Sequence, residues 1–318
     1  MDVLKNLKTF VAVARAGGFS EAGRQLHVVP SVVAKRIAQL EYTVQAKLFE
    51  RSTRVVALTE AGQKLLTRAA ILLSDVDDLV VDLRRDTARL EGHIRVMAPT
   101  TLTRRRLGPI LERFLADHER ITLEIALVDA SANPLEKGFD IAVSGHSASY
   151  EGVLDIPLCP VAPHLCASPS YLERRGYPSH PRELAQHECL VFKLANGTWI
   201  FQSDRGLVRV EATPRLVADD NFTLMQFAKA GLGIAILPAY VCAGALQSGE
   251  LVSILKEFPP QDAWFKAFVP RRKHALARVQ ALLQALTAGL KSMPPAMTSE
   301  HHPQACTCCR DGQPVLSH

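Results

Sequence analysis

Ser31, Lys35, Arg36 and Gln39 fall on the outer side of one helix if Val33, Ile37 and Leu40 turn inward. Lysine and arginine donate to guanine O6 and N7 or to phosphate oxygens, so this face suits a nucleic acid; a solvated charged face is the alternative. Farther along, Arg51 and Arg54 flank Ser52-Thr53. Thr100-Thr101 follow a strand-like run and open a segment carrying Arg104. Hydroxyls and free N–H groups at a helix start can receive a carboxylate or phosphate, or can merely cap the helix.

Other reactive groupings carry less. Gly145-His146-Ser147-Ala148-Ser149 approaches a nucleophile elbow but lacks the final glycine, and Tyr150-Glu151-Gly152 does not open a helix. No phosphate loop or dinucleotide fingerprint follows a suitable strand. His301, His302, Cys306, Cys308 and Cys309 are metal-ligand types at spacings that match no structural zinc pattern, so no metal or cofactor is expected. Asn196-Gly197-Thr198 is read as a turn rather than a glycosylation site.

The elements that must position these residues follow from periodicity. Leu4, Leu7, Val11 and Ala14 form a helical stripe that Gly17-Gly18 stop. Ser20 is placed to cap a second helix, and Pro30 to open a third through Leu40. Leu48 to Arg51 and Arg54 to Leu58 read as a hairpin. Thr59 then caps a long helix in which Leu65, Ala69, Leu72, Val76, Leu79 and Leu83 recur at alternating spacings of four and three residues, the seam of a coiled coil or the inner face of a helix lying on its own core. Ile94 to Ala98, a helix with Leu107, Ile110, Leu111 and Phe114, and Ile121 to Leu127 make a βαβ unit. Phe139 to Ser144 and Leu165 to Ala167 add strands. Asn196-Gly197 suggests a hairpin, with Leu207 to Val210 continuing the meander. Asp219-Asp220-Asn221 caps a helix that ends at Gly231. Ile234 to Leu237 and Leu251 to Leu255 read as strands, and Leu276, Val279, Leu283, Leu286 and Leu290 as a last helix.

With 318 residues, 47% hydrophobic and 22% charged, the chain is long enough for several domains and wrong for a mainly disordered one. Residues 1 to 60 carry nine Lys/Arg against five Asp/Glu, which is +4 of the total +5, so the basic excess sits at one end. Of the seven cysteines, Cys159, Cys166, Cys189 and Cys242 are scattered through the body and Cys306, Cys308 and Cys309 crowd the tail, which suggests no disulfide framework. The start shows no secretory signal, and glycines and a proline break the longest apolar run, so a cytoplasmic protein with no membrane partner is expected.

The stretches LKTFVAVARAGGFSEAGRQLHV (7 to 28), KRIAQLE (35 to 41), LFERSTR (48 to 54) and LTEAG (58 to 62) together resemble the N-terminal domain of the LysR-type transcriptional regulators. GFDIAVSG (138 to 145), CASPSYLERRGYPSHPRELAQHECL (166 to 190), AGLGIAILPAY (230 to 240) and SGELVSIL (248 to 255) resemble the effector-binding half. The resemblance implies an N-terminal winged helix-turn-helix (1 to 59), a long linker helix that pairs two chains (60 to 90), and an α/β effector domain of two subdomains of periplasmic-binding-protein type (91 to 290). Beyond it lies a tail (291 to 318) expected to be disordered. Such regulators are not enzymes. The implied partners are double-stranded DNA, a small-molecule effector in the subdomain cleft, further copies of the chain as dimer or homotetramer, and RNA polymerase. The alternative from another class is a cytoplasmic solute-binding module or enzyme on the same α/β body, which the basic N-terminal helix-turn-helix opposes.

Within this frame Pro30, Ser31, Val32, Lys35 and Arg36 would read bases, and Ser20, Arg51, Thr53 and Arg54 would meet the backbone. Relatives usually carry a Ser-Gln-Pro-Ala-Leu-Ser type of run where this chain has Val29-Pro30-Ser31-Val32-Val33-Ala34, so readout should lean on apolar contact and shape. Effector contacts are expected at Thr100 and Thr101. Position matching to the family adds Ser131, Ser144 and Phe222. Many relatives have arginine where Ser144 stands, so an effector held by that arginine does not carry over.

Overall fold

In the N-terminal sixty residues, apolar positions every three or four residues build three helices around one small core. The structure, a computed structural model, describes residues 2–51, 56–83, 90–129, 133–145, 148–195 and 197–292, without the side chains of 51, 74 and 77–83. Helix α1 (Val3–Ala16) is capped by Asp2, which accepts the Lys5 N–H at 3.0 Å, and it ends at Gly17 in the left-handed conformation. Helix α2 (Phe19–Gln25) starts two residues earlier than expected. Extended Gly18 holds the cap position and Ser20 lies exposed inside the first turn, so its expected capping role is corrected. Helix α3 (Pro30–Val44) has Pro30 at its first position, where no N–H is needed.

Phe10, Val13, Val33, Ile37 and Leu40 close this core, and the Phe10 and Phe49 rings meet at 5.3 Å. Strands β1 (Phe49–Arg51) and β2 (Val56–Leu58) pair antiparallel as the wing. Glu41, buried on α3, accepts the Leu48 N–H at 2.9 Å and the Lys47 ammonium at 3.2 Å, tying α3 to the start of β1. Burial alone would raise the Glu41 pKa, but these donors outweigh it and hold the carboxyl below its ordinary 4.5.

Helix α4 (Glu60–Leu83) is capped by Thr59, whose hydroxyl oxygen accepts the Gly62 N–H at 3.0 Å. Its first turns belong to the same core, with Ala69 and Leu73 buried and Leu65 packed beside them.

The chain divides into two units, Met1–Pro160 with Ala263–Ser292, and Val161–Asp262. In the first, β3 (Gly92–Ala98) leads through α5 (Thr100–Leu102), a π-helical turn and α6 (Gly108–Asp117) to β4 (Ile121–Leu127), parallel to β3. After α7 (Pro134–Lys137) come β5 (Ile141–Ser144) and β6 (Val153–Val161).

The second unit holds β7 (Pro163–Ala167), α8 (Pro169–Arg175), β8 (Cys189–Phe192), β9 (Thr198–Phe201), β10 (Val208–Glu211), β11 (Pro214–Ala218), α9 (Asn221–Lys229), β12 (Ile234–Pro238), α10 (Ala239–Gln247) and β13 (Val252–Ser253). Its sheet runs β11-β8-β12-β7-β13, and β9 and β10 pair separately. The chain then returns through β14 (Ala263–Pro270), α11 (Arg271–His274) and α12 (Ala277–Ser292), which completes the first sheet as β4-β3-β5-β14-β6.

Three sequence expectations change. The expected hairpin at Asn196-Gly197 falls on Asn196, which lies outside the described residues; of the runs on either side, β8 pairs in parallel with β11 and β12, and β9 pairs with β10 across Ser203 to Gly206, whose backbones exchange two hydrogen bonds. The run 251 to 255 yields only a two-residue strand, since Leu255 takes φ +50°. Strands β6 and β14 carry no clean alternation and were missed. No helix among the described residues is long and apolar enough to cross a membrane.

Helix α4 also docks on the first α/β body. Gly138, at φ +71°, would place a Cβ 2.6 Å from Ile71 Cγ1, so only glycine lets the helix this close. Lys273, 5% exposed, lies between two carboxylates, 3.3 Å from Asp140 and 3.2 Å from Asp75 of α4, and Arg272 also pairs with Asp75. Asp140 is 1% exposed and accepts the Arg95 N–H at 2.8 Å.

Lys273→Met, which leaves the Asp140 charge buried without its cation, should lower unfolding free energy by about 3–5 kcal/mol. An unmoved urea midpoint would show the ion cluster to be dispensable. Glu41→Gln should cost about 1.5–3 kcal/mol. Because the folded pKa of Glu41 lies below the unfolded one, its contribution is complete above about pH 4.5 and fades as pH falls through the folded value. Unfolding curves of wild type and Glu41→Gln should therefore converge in acid, and a constant gap at every pH would contradict this.

Candidate functional site

The packing of α3 decides which of its residues reach outward. With Val33, Ile37 and Leu40 buried against α1, the first turn presents Pro30 and Ser31, and Lys35 projects one turn later; all three are exposed and Val32 is half-buried. Arg36 is partly buried. Its guanidinium donates to the Thr9 hydroxyl at 3.3 Å, and that hydroxyl donates to the Lys5 carbonyl at 2.8 Å, so Arg36 braces α3 against α1. The role of Thr9 as its anchor was not legible from spacing, since 27 residues separate them.

Ser20 is exposed at the start of α2, and Arg51 ends β1. The side chain of Arg51, and Thr53 and Arg54 altogether, lie outside the described residues. The head thus joins an exposed helix start to a two-stranded wing, the arrangement with which a helix-turn-helix enters a major groove while flanking groups meet phosphates.

In the first α/β body, β4, β3 and β5 are parallel neighbours; Asp129 and Thr100 follow the carboxyl ends of β4 and β3, and Ser144 is the last residue of β5. Ligands of open α/β sheets bind at such ends. The expectation that Thr100 offers a free N–H and hydroxyl is corrected. Both donate to the Asp129 carboxylate, at 2.8 and 2.7 Å, so the chain's own anion already fills that helix start. Asp129 was missed because it lies 29 residues away. Thr101 is buried, Ser144 is half-buried at the end of β5, and Ser131 lies outside the described residues. In the second unit Phe222 is partly exposed in the first turn of α9, which Asp220 caps by accepting the Thr223 N–H at 2.8 Å.

The heptad stripe divides. Ala69 is 2% exposed and Leu65 is packed in the helix-turn-helix core, whereas Leu72 is 49% exposed and Val76 half-buried. The side chains of Leu79 and Leu83 lie outside the described residues. His146 and Ser147 of the elbow-like run and the whole His/Cys tail lie outside them too; among the described residues no cluster of His, Cys, Asp or Glu could hold a metal.

Comparison with known proteins agrees with this arrangement. The profile of the bacterial regulatory helix-turn-helix protein, lysR family, matches residues 4–63, and that of the LysR substrate binding domain matches residues 87–291. An HTH-type transcriptional repressor of Pseudomonas aeruginosa is 29% identical over 287 residues, covering 89% of this chain and 90% of its own. The transcriptional activator TtdR of Escherichia coli is 29% identical over 257 residues, covering 80% and 83%. The structure of CrgA, a LysR-type transcriptional regulator from Neisseria meningitidis, aligns with TM-score 0.57 at 25% identity over 90% of this chain and 98% of that one. A helix-turn-helix head followed by a substrate-binding domain, both matched in order and nearly end to end, makes this chain a member of the LysR family of transcriptional regulators, which bind DNA and are not enzymes.

Proposed function

We propose that this regulator reads its operator with Pro30, Ser31, Val32 and Lys35 at the start of α3, with Ser20, Arg51, Thr53 and Arg54 on flanking phosphates and Arg36 holding the helix in register. The observation that carries this reading is the exposure of the first turn of α3 while Val33, Ile37 and Leu40 are buried. A small effector is received at the carboxyl ends of the parallel strands of the first unit, near Thr101, Ser131 and Ser144. The Thr100–Asp129 pair forms a fixed rim there rather than an anion seat. The functional divisions follow the elements: head 1 to 59, linker helix 60 to 90, effector domain 91 to 290.

The working form is a homo-oligomer in the cytoplasm, built from dimers whose two heads meet the two halves of one operator. Three features support it. Leu72 is exposed on α4; β4, an edge strand, exposes Ile125 and Leu127; and β11, an edge strand of the second unit, exposes Val217. Uncovered edge strands bearing apolar side chains invite a partner. The two relatives, one an activator and one a repressor at equal identity, leave the direction of regulation independent of kinship.

Ser31→Glu tests the reading. A carboxylate in the first turn favours the helix itself, so the fold is kept, yet it meets the DNA charge head-on. Operator affinity should fall at least about tenfold, the equivalent of ~1.4 kcal/mol; undiminished binding would remove α3 from the groove. Arg54→Ala should weaken binding on all sequences and lower the salt slope by about one, and an unchanged slope would take Arg54 off the phosphates.

A further inference from the structure

We propose that the reading end of α3 selects bases by their C5 methyl group, through Val29 with Val32 behind it, and that it therefore accepts 5-methylcytosine as it accepts thymine. The inference rests on α3 lying in the major groove. Val29 is 60% exposed, more than any other valine, leucine or isoleucine whose side chain is described, and it occupies the position just before Pro30. It makes no side-chain cap.

The backbone holds it there. The Val28 N–H donates to the Gly23 carbonyl at 2.9 Å, and the Val28 carbonyl oxygen lies 2.7 Å from where a Cβ on residue 23 would sit, so the turn is pressed onto α2 at a glycine. Val28 packs into the core. The Val29 carbonyl then accepts the Val32 N–H at 2.9 Å and starts the helix. A β-branched side chain on a fixed backbone has little rotamer freedom to lose, so its two methyls form a ready apolar surface.

Polar readout is sparse at this end. Pro30 has no N–H, Arg36 is turned back to Thr9, and Ser31 carries the one hydroxyl of the first turn. A base pair is recognised in the major groove by donors, acceptors or the thymine methyl, and a valine pair can use only the last. Cytosine presents C5–H at that edge, whereas 5-methylcytosine presents the same methyl group as thymine. Burying one methyl is worth about fourfold in affinity, the equivalent of ~0.8 kcal/mol.

The test uses the full-length protein and an operator selected from a pool of random duplexes, followed by fluorescence anisotropy. Each thymine is replaced in turn by deoxyuridine, which removes only the methyl. One or two positions per half-site should lose about three- to fivefold, and that loss should vanish in Val29→Ala, an exposed substitution that leaves the core untouched. At the same positions 5-methylcytosine paired with guanine should bind better than cytosine by a similar factor. A flat deoxyuridine scan overturns the proposal, as do sensitive positions that persist unchanged in both Val29→Ala and Val32→Ala. Failure to select any operator defeats instead the placement of α3 on DNA, on which the proposal stands.

Discussion

The burial of Val33, Ile37 and Leu40 against Phe10 and Val13 is the constraint from which the rest follows. It fixes the rotation of α3 about its own axis, and a helix can offer a groove only the face its core does not consume. Three side-chain links hold that setting: Arg36 reaches Thr9 on α1, Glu41 reaches the N–H of Leu48 at the wing, and Leu65 and Ala69 of α4 seal the open side. Recognition by this head depends on positions set by packing, which is why buried residues with no access to DNA matter to it.

The same helix that seals the head is gripped by the body. Leu73 belongs to the head core, and Asp75, two residues on, meets Lys273 and Arg272. Ile71 lies against Gly138, and Asp140 joins Lys273 to the backbone of Arg95 on β3. Ile71, Asp75, Asp140, Arg272 and Lys273 thus join the helix that seals the head to the backbone of β3 in the body through direct contacts. A charged cluster of this kind contributes less to net stability than its Coulomb energy suggests, and its more durable consequence is a defined register between the joined elements.

Much of this was legible in the sequence because the signals are local. The stripe of α1, the proline opening α3, the Thr59 cap and the βαβ alternation each depend on residues within a few positions of one another. What escaped was long-range. Asp129 fills the helix start at Thr100 from 29 residues away, and Thr9 holds Arg36 from 27. Strand β14 returns after a hundred residues to lie between β5 and β6, and its alternation is blurred because most of it is buried on both faces. The stripe from Leu65 to Leu83 showed how a period can be right while its partner stays open: Ala69 faces its own core and Leu72 faces outward, and no spacing rule separates the two. Ser20 failed as a cap because the helix begins at Phe19, with extended Gly18 already at the cap position.

Placement of the first turn of α3 in a major groove is tested most directly by methylation protection of a selected operator with the full-length protein. Dimethyl sulfate attacks guanine N7 in the major groove and adenine N3 in the minor groove. The account predicts two stretches of protected guanine N7, one per half-site and on one side of the duplex, each lost with Ser31→Glu. Guanines that stay fully reactive beneath bound protein, with protection confined to adenine N3, would contradict it.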